Sequence, residues 1–114
     1  MRPCLLVCIA ALAVAGCGKS TETSITRSTA NGVDTLYSKR SVVDGVARFE
    51  CLASRSGQCH YLVLAPACRP DAPCATPPLR SFALAVGQTR QFKDLPAGFS
   101  HCVDDRHKEH CHRD

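Results

Sequence analysis

The chain opens on an unbroken apolar run, Leu5 to Ala15, with no charged residue inside it. Beyond residue 17 the pattern changes to short segments punctuated by Gly, Pro, Asn and Asp. Thr35–Val43 leads into Asp44-Gly45, a type I′ turn signal, and Val46–Leu52 follows. Ser54-Arg55-Ser56-Gly57 reads as a turn before a strand over Gln58–Ala65. Residues 66–79 carry most of the prolines and read as an irregular loop. Ser81–Val86 alternates Phe82, Leu84 and Val86 on one side; Gly87-Gln88 turns the chain into Thr89–Phe92. Leu95-Pro96-Ala97-Gly98 is a further turn before Phe99–Val103. No segment past residue 17 holds a 3.6-residue apolar period. The expected fold is mainly β: a small antiparallel sandwich or open barrel.

The first run is too short for the ~20 residues that a membrane-spanning helix needs. With Arg2 ahead of it, it reads as a secretory signal helix. Its end, Val14-Ala15-Gly16-Cys17, resembles the lipobox of bacterial lipoproteins: a branched apolar residue, two small residues, then Cys. That resemblance implies cleavage after residue 16, a diacylglyceryl group on the Cys17 sulfur and a membrane-anchored mature chain. Gly18, where an Asp is associated with inner-membrane retention, favours the outer membrane. Residues 1–16 are thus expected to be the signal and 17–33 the lipidated Cys with a Ser/Thr-rich tether. Residues 34–114 are expected to form the domain. Within the tether, Ile25–Ala30 ahead of Asn31-Gly32 carries a rival signal for an edge strand.

Composition narrows the function. With 114 residues there is room for one small domain, and aromatics are 5% with no Trp, so a large apolar core is not expected. Net charge is +4 and scattered, without the basic stripe or stacking aromatics of a nucleic-acid surface. The segment Gly87–Phe99, with Phe92 and Leu95-Pro96-Ala97-Gly98, resembles strand pairs of prealbumin-like extracellular sandwiches. That likeness implies architecture and no activity.

Of nine cysteines, Cys4 and Cys8 leave with the signal and Cys17 takes the lipid. The remaining six are an even set, as a disulfide framework in an oxidising compartment requires. A β-hairpin register with Cys51 facing Cys59, Phe49 facing Tyr61 and Ala47 facing Val63 puts all six on one apolar face. Its other face would pair Glu50 with His60. Cys68–Cys74 would then close the proline loop and Cys102–Cys111 the C-terminus; the rival connectivity joins strands, as in Cys59 with Cys102. No C-x-x-C pattern occurs, so a thioredoxin-type site is not expected.

Four of the five histidines, His101, His107, His110 and His112, lie in the last fourteen residues. Such tracts are a composition that binds Zn or Cu. If Asp104 caps a short helix, His107 and His110 share one face. The bland alternative is a solvated tail. No G-x-S-x-G elbow or phosphate-binding glycine pattern is present, so the chain is not expected to be an enzyme. The leading expectation is a non-catalytic envelope lipoprotein, an interaction or structural module that meets the membrane through its lipid and an envelope protein as partner. Metal binding is the first alternative. The second is inhibition of an envelope enzyme: the chain shares size and β-rich pattern with small lysozyme-inhibitor lipoproteins. It departs from their motif in having three residues between Ser56-Gly57 and Tyr61, and in lacking Trp.

Overall fold

The structure, a computed structural model, describes residues 21–111. The expected signal segment, Cys17 and His112 lie outside the described residues. Seven strands are described: β1 Thr21–Ala30, β2 Val33–Val43, β3 Val46–Ser54, β4 Gln58–Leu64, β5 Arg80–Ala85, β6 Thr89–Phe92 and β7 Ser100–Asp104. They form two antiparallel sheets, ordered β1-β2-β3-β6 and β5-β4-β7. The fold is therefore a sandwich rather than an open barrel.

The turn chemistry works as its residues dictate. Asn31-Gly32 and Asp44-Gly45 both take positive φ at their two central positions, the type I′ geometry that matches strand twist. These two hairpins lay β1, β2 and β3 side by side. β1 begins at Thr21, so a strand occupies most of the segment expected to be tether, and it starts four residues before Ile25. Its Thr-rich composition suits a pleated strand whose faces are largely wet. Glu22 Oε1 also accepts a hydrogen bond from Arg40 Nη2 at 2.7 Å, which holds the start of β1 onto β2.

The expected β3–β4 hairpin does not form. β3 pairs with β2 and β6, and β4 pairs with β5 and β7, so the two strands belong to opposite sheets. The chain crosses between sheets at residues 55–57 and crosses back at 86–88, and Val86 N–H donates to Gly57 C=O at 3.1 Å where the crossings meet. Cys51 and Cys59 are still joined, with Cα atoms 5.8 Å apart, but their bond runs through the core from sheet to sheet. Phe49 and Tyr61 also meet, ring centroids 5.3 Å apart and edge to face, as packing partners across the sandwich. Side-chain alternation explains the correction to the Glu50–His60 pairing. With Phe49, Cys51, Cys59 and Tyr61 facing inward, Glu50 and His60 lie on the outer faces of different sheets.

The few aromatics are pooled. Phe49, fully buried, has Tyr61, Phe82, Phe92 and Phe99 around it, with centroids 5.3 to 6.3 Å away. That gathers all four phenylalanines of the chain into one cluster. Such pairs add ~0.5–1.5 kcal/mol each beyond their buried area. Tyr61 would bury a hydroxyl at a cost, but its oxygen lies 2.7 Å from Ser38 Oγ on β2, so both buried groups are satisfied across the sandwich. Burial raises the Tyr61 pKa, and the Ser38 hydrogen bond works against that rise.

The other two bridges join Cys68 to Cys74 in the proline loop and Cys102 to Cys111 at the C-terminus. Loop-closure entropy alone assigns about 2–2.5 kcal/mol to either of the two shortest loops, so it does not separate them. Burial does: Cys51 and Cys59 are fully enclosed, whereas Cys74 is exposed. Replacing Cys51 and Cys59 together by Ala should therefore destabilise the domain by roughly 3–5 kcal/mol, and replacing Cys68 and Cys74 by about 2 kcal/mol. Urea unfolding of the two variants checks this; equal losses would remove the central role given to Cys51–Cys59.

Candidate functional site

β7 carries the chain from the core to the tail. His101 and Val103 face inward, and Cys102 and Asp104 face outward. The Cys102–Cys111 bridge consequently folds residues 105–111 back over the outer face of the three-stranded sheet. That face needs cover: Leu62 and Leu64 have outward parity on β4 yet are buried. The tail and the proline loop supply it. Residues of both line a cavity of about 300 Å³ with Leu64, and tail residues line a second of about 320 Å³ with Leu62.

The tail does not form the short helix that Asp104 could have capped. Asp105 is buried and takes Arg55 Nε at 2.9 Å, which ties the tail to the β3–β4 crossing. Lys108 Nζ reaches back to Asp104 Oδ2 at 2.9 Å. Burial alone would raise the Asp104 pKa, but hydrogen bonds from Lys108 and Asp105 outweigh it and hold the carboxyl below its ordinary value. With both ends of a short segment fixed by an ion pair and a disulfide, no helical turn forms.

The described histidines of this segment are dispersed. His101 lies inside the sandwich, its ring 5.5 Å from Phe49. His107 lies against His60 of β4, ring centroids 6.3 Å apart. His110 borders the proline-loop cavity, and His112 is outside the described residues. Among the described residues no three His, Cys, Asp or Glu side chains converge as a metal site would need. The pair the structure does bring together, His60 with His107, crosses from strand to tail and was not legible as spacing. The ~320 Å³ cavity beside it is polar, with Arg55, Asp105 and Lys108 on its walls.

A second group was missed although its signal was present. Arg40 occupies the inward phase of β2, after Leu36 and Ser38, where a charge is out of place. It is about nine-tenths buried. Its Nη2 is held by Glu22, its Nη1 lies 3.4 Å from His101 Nδ1, and its guanidinium stacks 5.0 Å over the Phe99 ring. Its Nε has no hydrogen-bond partner. The contact to Nδ1 needs a neutral imidazole. Burial first, and the Arg40 charge second, push the His101 pKa down to about 4.

No protein-family model matches the chain, and no curated protein or solved structure matches it either.

The unfolded chain binds a proton at His101 below the ordinary value of 6.5, and the folded chain does not until about pH 4. Stability attributable to this group is thus intact above pH 6.5 and is lost progressively as pH falls to about 4, on the order of 3 kcal/mol in all. Asp104, whose pKa is depressed from 3.8, adds its loss below that window. Urea unfolding at a series of pH values should show the fall, and His101→Phe should flatten it; an unchanged slope in that variant would contradict the assignment.

Proposed function

We propose that this chain is a lipid-anchored envelope protein whose exported domain is a non-catalytic interaction module. The supporting observation is the state of its cysteines. All six within residues 51–111 are paired, one pair in the centre of the core, which fits folding in an oxidising compartment. The lipobox-like Val14-Ala15-Gly16-Cys17 gives the same address independently and accounts for a cysteine left outside the framework. In this reading Cys17 is the acylated first mature residue. β1 begins four residues later, so the sandwich stands close to the membrane surface on a very short lead. The expected site is the periplasmic face of the outer membrane, and the expected partner is another envelope protein.

A second reading, a weak zinc or copper site, is favoured by the His60–His107 pair. Two imidazoles on one side of a cavity can both reach one ion at the ~2.0–2.1 Å of a Zn–N bond, with water completing the shell. It differs from a tail site in enlisting His60 and excluding His101, whose ring turns inward against Phe49.

Two measurements follow. Expressed in a bacterium fed labelled palmitate, the full chain should incorporate label and lose residues 1–16, while Cys17→Ala should do neither; label retained in the variant would overturn the anchor. Titration with Zn²⁺ should give saturable weak binding that either His60→Ala or His107→Ala abolishes and His101→Phe leaves intact. Binding unchanged in all three removes the metal reading.

A further inference from the structure

β1 is the outermost strand of the four-stranded sheet, with one backbone edge paired to β2 and the other, among the described residues, without a strand beside it. It is long for an edge, Thr21–Ala30, and exposed at every position but Ser24 and Thr26. Natural sheets guard such edges with Pro, Lys, bulges or charges aimed across them. β1 has neither Pro nor Lys. The irregularity near its end belongs to β2: Ser28 faces Leu36 and Thr29 faces Asp34, so Thr35 is the extra residue and β1 stays regular through Thr29. Its two charges also turn away from the open edge. Glu22 reaches Arg40, and Arg27 reaches Asp34 at 2.9 Å with its guanidinium 4.9 Å over the Tyr37 ring, all on β2. What remains along the edge is a row of backbone N–H and C=O groups.

The faces of β1 need no cover. Glu22, Ser24, Thr26 and Ser28 share one face and Thr21, Thr23, Ile25, Arg27 and Thr29 the other, so only Ile25 is apolar and it is more than half exposed. A partner is therefore wanted at the edge and not on a face, which is the geometry of strand addition. The sequence specifies which strand. Thr21–Thr29 is nearly symmetric about Ile25: Ser24 mirrors Thr26, Thr21 mirrors Thr29, Thr23 mirrors Arg27 and Glu22 mirrors Ser28.

We propose that β1 pairs antiparallel with β1 of a second copy of this chain, about a two-fold axis through Ile25 perpendicular to the sheet. The axis keeps every residue on its own face, since mirrored positions have the same parity. Ile25 then meets the second copy's Ile25, hydroxyl side chains meet hydroxyl side chains at four further pairs, and each charge faces a hydroxyl. Registers centred on Glu22 or Arg27 set like charges opposite one another and shorten the overlap. Centring on Ile25 pairs all nine residues from Thr21 to Thr29 and joins two four-stranded sheets into one of eight.

Cysteine scanning of the full chain tests both the contact and its register. Residues directly opposite in an antiparallel pair have Cα atoms about 4.5–5.5 Å apart, within disulfide range. Ile25→Cys should therefore give a dimer band on non-reducing gels that reductant removes. Thr21→Cys and Thr23→Cys should not, because their own copies would lie roughly 27 and 13 Å away. A separate readout uses no new thiol: the unmodified chain should sediment at twice the mass of an Ile25→Lys variant, which sets two ammonium groups face to face at an exposed site that folding does not need. A monomeric unmodified chain, or Thr21→Cys and Thr23→Cys dimers as abundant as those of Ile25→Cys, would overturn the proposal. A mixed band with some other protein in place of the homodimer would transfer the edge to a different partner and overturn it equally.

Discussion

The sandwich depends on one crossing point, where the Cys51–Cys59 bond runs between the sheets beside the Phe49–Tyr61 contact. A domain this small with so few aromatics has little apolar area to bury. It compensates by concentration. Three phenylalanine rings and Tyr61 meet around the fully buried Phe49, a disulfide closes the layer next to them, and the Ser38–Tyr61 hydrogen bond ties the sheets a third time. Each element contributes a covalent, dispersive or polar link across the same gap.

Much of this was legible in the residues, and the failures share a cause. Asn31-Gly32 and Asp44-Gly45 specify two hairpins because their backbones tolerate positive φ, and both turns are found where those pairs stand. Period-two alternation correctly groups Phe49, Cys51, Cys59 and Tyr61 on one interior. It does not say whether the chain reverses within a sheet or between sheets, because either reversal sets position 51 opposite position 59. The difference lies in backbone bonds that have no sequence signature: Arg55 N–H donates to Thr35 C=O, and Cys51 N–H to Gln88 C=O. β1 was half legible for another reason. The Asn31-Gly32 signal marks an edge strand over Ile25–Ala30, but Thr21–Ser24, Ser/Thr-rich with wet faces, has the composition of a tether, and its pairing to β2 is what tells them apart.

The tail shows how a covalent constraint redirects side chains that spacing seems to group. Four nearby histidines suggest a cluster, yet the alternation of β7 turns His101 inward against Phe49, while the turn after Asp104 and the return to Cys102 send His107 to β4 and His110 to the proline loop. The segment's structural work is to cover Leu62 and Leu64, and its ion pairs with Arg55 and within Asp104–Lys108 hold it there. Chemistry at this end accordingly involves residues from strand and tail together. Arg40, by contrast, is legible in hindsight: an arginine in the inward phase of a strand must find partners inside, and Glu22, His101 and the Phe99 ring are those partners.

The claim that the buried bridge joins two sheets, instead of closing one hairpin, is tested most directly by nuclear Overhauser effects in solution. Backbone-to-backbone effects should connect Lys39 with Glu50 and Tyr61 with both Phe82 and Val103, while Phe49 and Tyr61 should be linked through their rings alone. Backbone effects between Phe49 and Tyr61, or between Ala47 and Val63, would place β3 and β4 in one sheet and contradict the account.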